Sequence, residues 1–119
     1  MVRNIPTEYT EEMLMEEWTL DMGYDFLYLP RNNKGKANLG YAFVNFVSEA
    51  HAEAFRVRFQ KNRLAHFEAA KRLNISLAEV QGLDANVRQL KQKPAARMKA
   101  RHCQPIIVRD GQKFGLDEL

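Results

Sequence analysis

The sequence predicts an α+β domain with one four-stranded antiparallel sheet, two helices on one face of that sheet, and a C-terminal third helix and tail. Three observations predict this class. The length of 119 residues suits a single domain. Segments with the two-residue periodicity of strands alternate with segments of helical periodicity. Two strand-like segments, rich in aromatic and β-branched residues, follow one another with only a polar loop between them.

The first strand and the first helix lie in the N-terminal part of the chain. Residues 1–5 (MVRNI) form a short strand that a proline ends, and its position at the start predicts a chain taken from a longer protein. Thr10 stands at the N-cap of a helix, with acidic residues following where the helix dipole favours them. Leu14 and Trp18 share the apolar face, and Gly23 suits the end of this helix.

Two strands and a second helix come next. Residues 24–30 (YDFLYLP) are typical of a strand closed by proline, and residues 31–38 (RNNKGKAN) of a polar loop with glycine at its turn. Residues 38–46 (NLGYAFVNF) form the third strand. Ser48 caps a second helix whose apolar face is predicted to contain Ala52, Phe55 and Phe59.

A fourth strand follows a basic segment. Residues 60–71 fit partly a loop and partly an extension of the second helix. Residues 72–80 (RLNISLAEV) have the alternation of a half-buried strand. The core-facing positions of that strand would be Leu73, Ile75 and Leu77.

The C-terminal region contains one further helix. It begins after Gly82, ends before Pro94, and spaces three apolar residues at i, i+4 and i+7, namely Leu83, Val87 and Leu90. Residues 105–108 (PIIV) are able to add an edge strand, and residues 109–119 are expected to be frayed.

The resulting order β-α-β-β-α-β is that of the ferredoxin-like split βαβ fold. This fold places the first and third strands side by side at the centre of the sheet. We predict a core over residues 1–82 and a C-terminal extension over residues 83–119 that packs on the same domain.

The third strand carries the most informative motif. Tyr41 and Phe43 alternate with a wholly apolar face of Ala42, Val44 and Phe46, so the two rings lie on the open face of the sheet. Residues 39–46 match seven of the eight positions of the RNA-binding octapeptide of the RNA-recognition motif, with Leu39 in place of its basic residue. Flat rings on a rigid sheet stack on single-stranded bases, at about 1–3 kcal/mol per base.

The first strand resembles the shorter hexapeptide of the same motif, with Met1 in its aromatic position. A closer resemblance runs along nearly the whole chain. Its segments MVRNIPTEYTEEML, YDFLYLPRN, GYAFVNF, VQG and HCQPIIV are similar to blocks of the C-terminal RNA-recognition motif of the Mei-two-like family, RNA-binding regulators linked to meiosis. The resemblance implies RNA binding by a module of a larger post-transcriptional regulator.

The chain departs from this family at basic and aromatic positions. Leu77 and Glu79 replace the tyrosine and the arginine of the family's Y-A-R-I/V-Q-G pattern. Residues 102–107 (HCQPII) lack the arginines of its R-C-R-P-I/L-L tail, and the third helix lacks its phenylalanine. These losses imply a shifted specificity or a weaker affinity for RNA.

The predicted partner is single-stranded RNA, stacked on the sheet aromatics and held at its phosphates by basic loop residues. Gly40 has no side chain, so the ligand or a neighbouring backbone segment can come close to the start of the third strand. The predicted RNA-binding residues are Met1, Arg3, Tyr28, Arg31, Lys34, Lys36, Tyr41, Phe43, Asn45, Arg72, Asn74 and Ser76.

Charge is distributed unevenly along the chain, whose formal net charge is +3. Residues 1–25 contain seven acidic side chains and one basic side chain, a net charge of −6. Residues 56–101 contain twelve basic and three acidic side chains, a net charge of +9. A positive side of the domain would attract a polyanion such as nucleic acid.

Other classes of function are disfavoured. The acidic residues of the first helix lack a partner base, and His102 with Cys103 cannot complete a zinc site, so we predict no enzyme, no cofactor and no metal. No apolar run is long enough to span a membrane. A single cysteine and no secretory leader predict an intracellular location, in the nucleus, the cytoplasm or both.

An alternative remains at this point. If the third helix lies across the open face, Tyr41 and Phe43 are core aromatics beneath it, unless the helix moves aside for RNA. The same fold would then be a protein-interaction module, to which the acidic first helix and the exposed methionines Met13 and Met15 would contribute. In either case we predict a monomeric domain within a longer chain.

Overall fold

The computed structural model describes residues 1–32, 37–62, 64, 72–78, 81–91, 105–109 and 112–114. Within these residues no helix is long and apolar enough to cross a bilayer. The elements in chain order are β1 (Val2–Arg3), α1 (Glu11–Glu17), a 3-10 turn (Leu20–Met22), β2 (Tyr24–Tyr28), β3 (Tyr41–Phe46), α2 (Glu49–Phe59), β4 (Asn74–Ile75), α3 (Leu83–Lys91), β5 (Ile106–Arg109) and β6 (Gln112–Phe114).

The strands form one antiparallel sheet in the order β4-β1-β3-β2-β5-β6. The predicted α+β class is confirmed, and β1 and β3 lie side by side with Val2 opposite Ala42. Among the described residues the sheet has six strands rather than the predicted four, because a C-terminal hairpin joins the free edge of β2. Ile107 pairs with Phe26 there, and β6 then covers the outer edge of β5. Arg109 and residues 112–114 therefore belong to strands, which corrects the expectation of fraying for these residues. The rest of the predicted frayed segment lies outside the described residues.

The helix caps follow the sequence prediction. The hydroxyl of Thr10 accepts a hydrogen bond from the Met13 amide at 3.2 Å, and the hydroxyl of Ser48 accepts one from the His51 amide at 3.2 Å. Helix α1 ends earlier than predicted, and the 3-10 turn carries the chain on to Gly23. Gly23 has φ +85°, and a Cβ there would collide with the His51 ring, so glycine is required for two reasons.

Helices α1 and α2 pack on one face of the sheet around Trp18. The indole is fully buried and meets Phe55 edge-on, with ring centroids 5.1 Å apart. Leu14 from α1 and Ala42 from β3 belong to the same buried cluster. Met13 and Met15 also pack against this cluster, so the expectation that they are exposed is wrong. Burying this much aromatic and aliphatic surface supplies the main driving force for folding.

The opposite face of the sheet carries a second, smaller apolar cluster. Phe26 and Ile107 are buried in it together with Tyr28, while Leu83 and Val87 of α3 pack against it. The third helix therefore lies over the β2–β5 side of this face. The sequence predicted three apolar contact residues on α3, and the third of them, Leu90, has a side chain outside the described part of the structure.

Strand β4 is shorter than predicted. It ends at Ile75, and Leu77, expected to face the core, is 89% exposed. The outer edge of β4 is paired by a side chain instead of a further strand. The Gln60 amide donates to the Ile75 carbonyl at 3.1 Å and accepts from the Ile75 N–H at 2.7 Å. Because both backbone groups of Ile75 are satisfied this way, a two-residue edge strand persists.

Candidate nucleic-acid interface

The open part of the sheet is a strip across β4, β1 and β3, which are the first three strands in the order of the sheet. The register places Arg3 between Tyr41 of β3 and Asn74 of β4. One step further along, Ser76 and Met1 exchange backbone hydrogen bonds of 2.8 and 2.9 Å. We call these five residues, which share one face by strand alternation, the open strip.

Arginine and amide groups dominate the polar part of the open strip. Arg3 is exposed, and one of its guanidinium nitrogens donates to the Ser76 hydroxyl at 3.2 Å. This contact fixes the direction of the side chain while its other donors still face outward, since a guanidinium carries five N–H groups. Asn74 is exposed beside it. The strip can therefore bind a phosphate or the polar edge of a base.

The aromatic part of the site is a row of three rings. Tyr41 meets Phe43 edge-to-face, with centroids 5.6 Å apart and planes at 83°. Phe43 lies nearly parallel to Tyr28, with centroids 6.5 Å apart and planes at 18°. Tyr41 and Phe43 are half-buried, whereas Tyr28 is only 8% exposed. Two rings are thus partly available on the surface, and Tyr28 supports Phe43 from the covered side.

Asn45 marks the boundary between the open strip and α3. Its side-chain amide donates to the Asp25 carboxylate at 2.8 Å, and its carbonyl oxygen accepts from the Gly82 N–H at 3.0 Å. Gly82 has φ +93° and directly precedes α3. Asn45 was predicted to contact RNA, but its polar groups bind the protein itself and fix where α3 begins.

The structure places the basic residues that were predicted to contact RNA in different surroundings. Arg31 pairs with Glu11 of α1 at 2.7 Å, and its side chain is 10% exposed, so it holds α1 to the end of β2. This placement weakens the prediction that Arg31 contacts phosphate. Arg72 is exposed two residues before β4, and its side chain donates a hydrogen bond to the Lys61 carbonyl at 3.1 Å. Lys34 and Lys36 lie outside the described residues.

Sequence reasoning missed the hydrogen bonds of Asn45 with Asp25 and Gly82, and it missed the division of the open face. The sequence did contain a signal for the division of the open face. Phe26 and Tyr28 alternate with Leu27, which belongs to the core beneath α1 and α2, so the two aromatic side chains require apolar partners on the other face. The sequence contained two candidates for these apolar partners, namely α3 and residues 105–108. Both pack there.

The sheet order, the two helices behind it and the aromatic row on its open face define an RNA-recognition domain. The family model described as RNA recognition motif 2 matches residues 1–91, and the chain belongs to this family. Such domains are binding modules, so membership also confirms the prediction that the domain is not an enzyme.

The predicted resemblance to the Mei-two-like proteins is confirmed as well. Protein MEI2-like 3 of Arabidopsis thaliana is 36% identical over 115 residues, covering 95% of this chain and 15% of that protein. Protein MEI2-like 5 of Oryza sativa subsp. japonica is 34% identical over 109 residues, covering 90% of this chain and 13% of that protein. The chain thus spans a small fraction of the length of the curated relatives it matches.

Proposed function

We propose that this domain binds single-stranded RNA on the open strip and the adjoining ring of Phe43, within a larger post-transcriptional regulator. The observation that carries the proposal is the row of Tyr41 and Phe43, half-buried on the open face with the exposed Arg3 beside them. Base faces are accessible to such rings only where bases are unstacked and unpaired. A single strand is therefore the form of RNA that fits.

The two rings and the basic side chains make different contributions. Each base stacked on an aromatic ring contributes about 1–3 kcal/mol, whatever its sequence. Arg3 and Arg72 add sequence-independent attraction to phosphates. Asn74 and Ser76 provide hydrogen-bonding groups at the strip's edge for reading bases. The losses at Leu39 and Met1 remove one cation and one ring, so the proposed affinity is moderate.

Helix α3 limits the footprint of the RNA without closing the site. An occluded sheet, the alternative predicted from the sequence, requires α3 to lie over both Tyr41 and Phe43. The described apolar residues of α3, Leu83 and Val87, pack on the cluster of Phe26, Tyr28 and Ile107, and Phe43 packs against the same cluster. Tyr41 is not part of this cluster and is only half-buried. This placement favours RNA binding on the β4–β1–β3 side of the sheet.

The proposal is tested by removing one charge and measuring the salt dependence of binding. Two engaged cations, Arg3 and Arg72, predict a slope of log affinity against log salt of about −1.4 for a single strand. The Arg3→Ala variant should bind a pool of short single-stranded RNAs about tenfold more weakly, since hydrogen bonds to charged groups contribute about 1.5–3 kcal/mol. Its slope should be shallower by about 0.7 in fluorescence anisotropy titrations.

The matched control is Arg58→Ala, which removes the same charge from an exposed position on α2, behind the sheet. Its affinity and slope should stay close to those of the unmodified domain. Equal behaviour of the two variants would show that the cations of the open face are not engaged, and would reject the proposed site.

A further inference from the structure

A concave surface lies behind one end of the open strip. It is a groove of about 640 Å³ between α2 and the chain that runs from β4 toward α3. Its floor is apolar and includes Val44, Phe46, Phe55 and Ile75. Cavities of this size, with an apolar floor and a few polar groups, are typical ligand sites.

One wall of the groove projects a large apolar side chain into solvent. Leu77 lines the groove and is 89% exposed, because β4 ends before it. Ala52 of α2 lines the groove beside the floor and leaves it open, since it has only a methyl group. The groove therefore offers apolar surface on its floor and on its rim, and a bulky apolar side chain would cover both.

The opposite wall is acidic. Helix α2 brings Glu49, Glu53 and Arg56 to the groove. Glu53 and Arg56 neutralise each other in an ion pair, with the Arg56 Nε 3.0 Å from the Glu53 carboxylate. Glu49 is exposed, and it has no ion-pair partner among the residues that the structure describes. The remaining charge of this wall is negative.

We propose that this groove binds a protein segment in which a bulky apolar side chain stands next to lysine or arginine. The apolar side chain would fill the space between Phe46, Ala52 and Leu77, and the cation would pair with Glu49. The acidic wall disfavours a phosphate backbone, so RNA is the less suitable occupant. The groove adjoins the proposed RNA surface, because Met1 and Ser76 of the open strip also line the groove, so the two ligands would be neighbours.

The experiment uses a capped five-residue peptide of one tryptophan, one leucine and three lysines, and a second peptide with glutamates in place of the lysines. Both are titrated into the domain while its backbone amide NMR signals are recorded. The lysine peptide should shift signals from Phe46 to Arg56 and from Ile75 to Ala78, with a Kd of about 1 mM or tighter. The glutamate peptide should bind at least about tenfold more weakly.

Two variants locate the site. Glu49→Lys should weaken binding of the lysine peptide about tenfold, whereas Glu12→Lys, an equal charge change in the exposed first turn of α1, should leave it unchanged. Glu49→Gln repeats the test without adding a cation. The proposal is overturned if both peptides bind equally, if neither binds, or if the shifts occur elsewhere. It is also overturned if a short RNA shifts the groove signals and Glu49→Lys strengthens that binding.

Discussion

Replacing Tyr41 and Phe43 together with leucine is expected to weaken the binding of short single-stranded RNA by at least about thirtyfold. Two bases, each stacked on one of these rings, contribute about 2–6 kcal/mol together, and the lower value corresponds to that factor. Leucine keeps most of the apolar volume that packs beside Tyr28 but has no flat face for a base. The loss would be measured by fluorescence anisotropy with a pool of labelled RNAs.

The control for this prediction is Tyr41→Phe, which keeps the ring and should bind within about threefold of the unmodified domain. Thermal unfolding of each variant shows whether the half-buried Phe43 can be replaced without loosening the neighbouring cluster. If the folded double variant binds RNA as tightly as the unmodified domain, base stacking on this sheet is not the mechanism.

Raising the pH from about 10 to 12 is expected to lower the free energy of unfolding by about 2 kcal/mol through Tyr24 alone. Burial of this phenol raises its pKa to about 12, and the nearby Asp21 carboxylate adds to the shift. Its hydroxyl donates to the Trp18 carbonyl at 2.8 Å inside the core. The unfolded chain releases this proton near pH 10 while the folded chain retains it, so the free energy of unfolding falls as the pH rises through this window.

The measurement is urea unfolding at several pH values, with Tyr24→Phe as the matched control. Phenylalanine has no proton to release, so the difference in stability between the two proteins should change by about 2 kcal/mol between neutral pH and pH 12. The variant itself should be less stable at neutral pH because it lacks the hydrogen bond to Trp18. Parallel pH profiles for the two proteins would contradict the assignment.

Local signals in the sequence predicted most of the fold. The caps at Thr10 and Ser48 depend only on neighbouring backbone groups, and both form as predicted. The alternation in β3 placed Ala42 on the core side, where it pairs with Val2, and Tyr41 on the open side. These features are set within a few residues of chain, which explains why a single sequence was sufficient.

The features that the sequence did not predict depend on contacts between distant segments. The C-terminal hairpin joins the sheet through pairing of Ile107 with Phe26, and no local pattern specifies that partner. The alternation of side chains predicted a strand over residues 72–80, including Leu77. The observed strand β4 ends at Ile75, the residue whose backbone N–H is hydrogen-bonded to the Gln60 side chain. Arg31 was predicted to face RNA because it follows β2, yet Glu11 lies close enough to bind it.

The candidate site was predicted in part. Sequence alternation identified Tyr41, Phe43 and Arg3 as neighbours on one face, and the register shows Arg3 directly opposite Tyr41. It could not show that Asn45 is engaged by Gly82 or that Tyr28 is covered, since both depend on where α3 lies. Leu39 and Met1 stand where the motif has a basic and an aromatic residue, so the site lacks one cation and one ring. Leu39 is 49% exposed at the position of the motif's basic residue.

The central claim is that nucleobases lie on the open strip, which includes Tyr41, and on the adjoining half-buried ring of Phe43. Ultraviolet crosslinking of the domain to bromouridine-substituted single-stranded RNA, followed by mass spectrometry of the peptide adducts, tests it most directly. The structure predicts adducts on Tyr41 and Phe43, and none on the outer surface of α1 or α2. Adducts confined to the helices, or to α3 with the two rings unmodified, would contradict it.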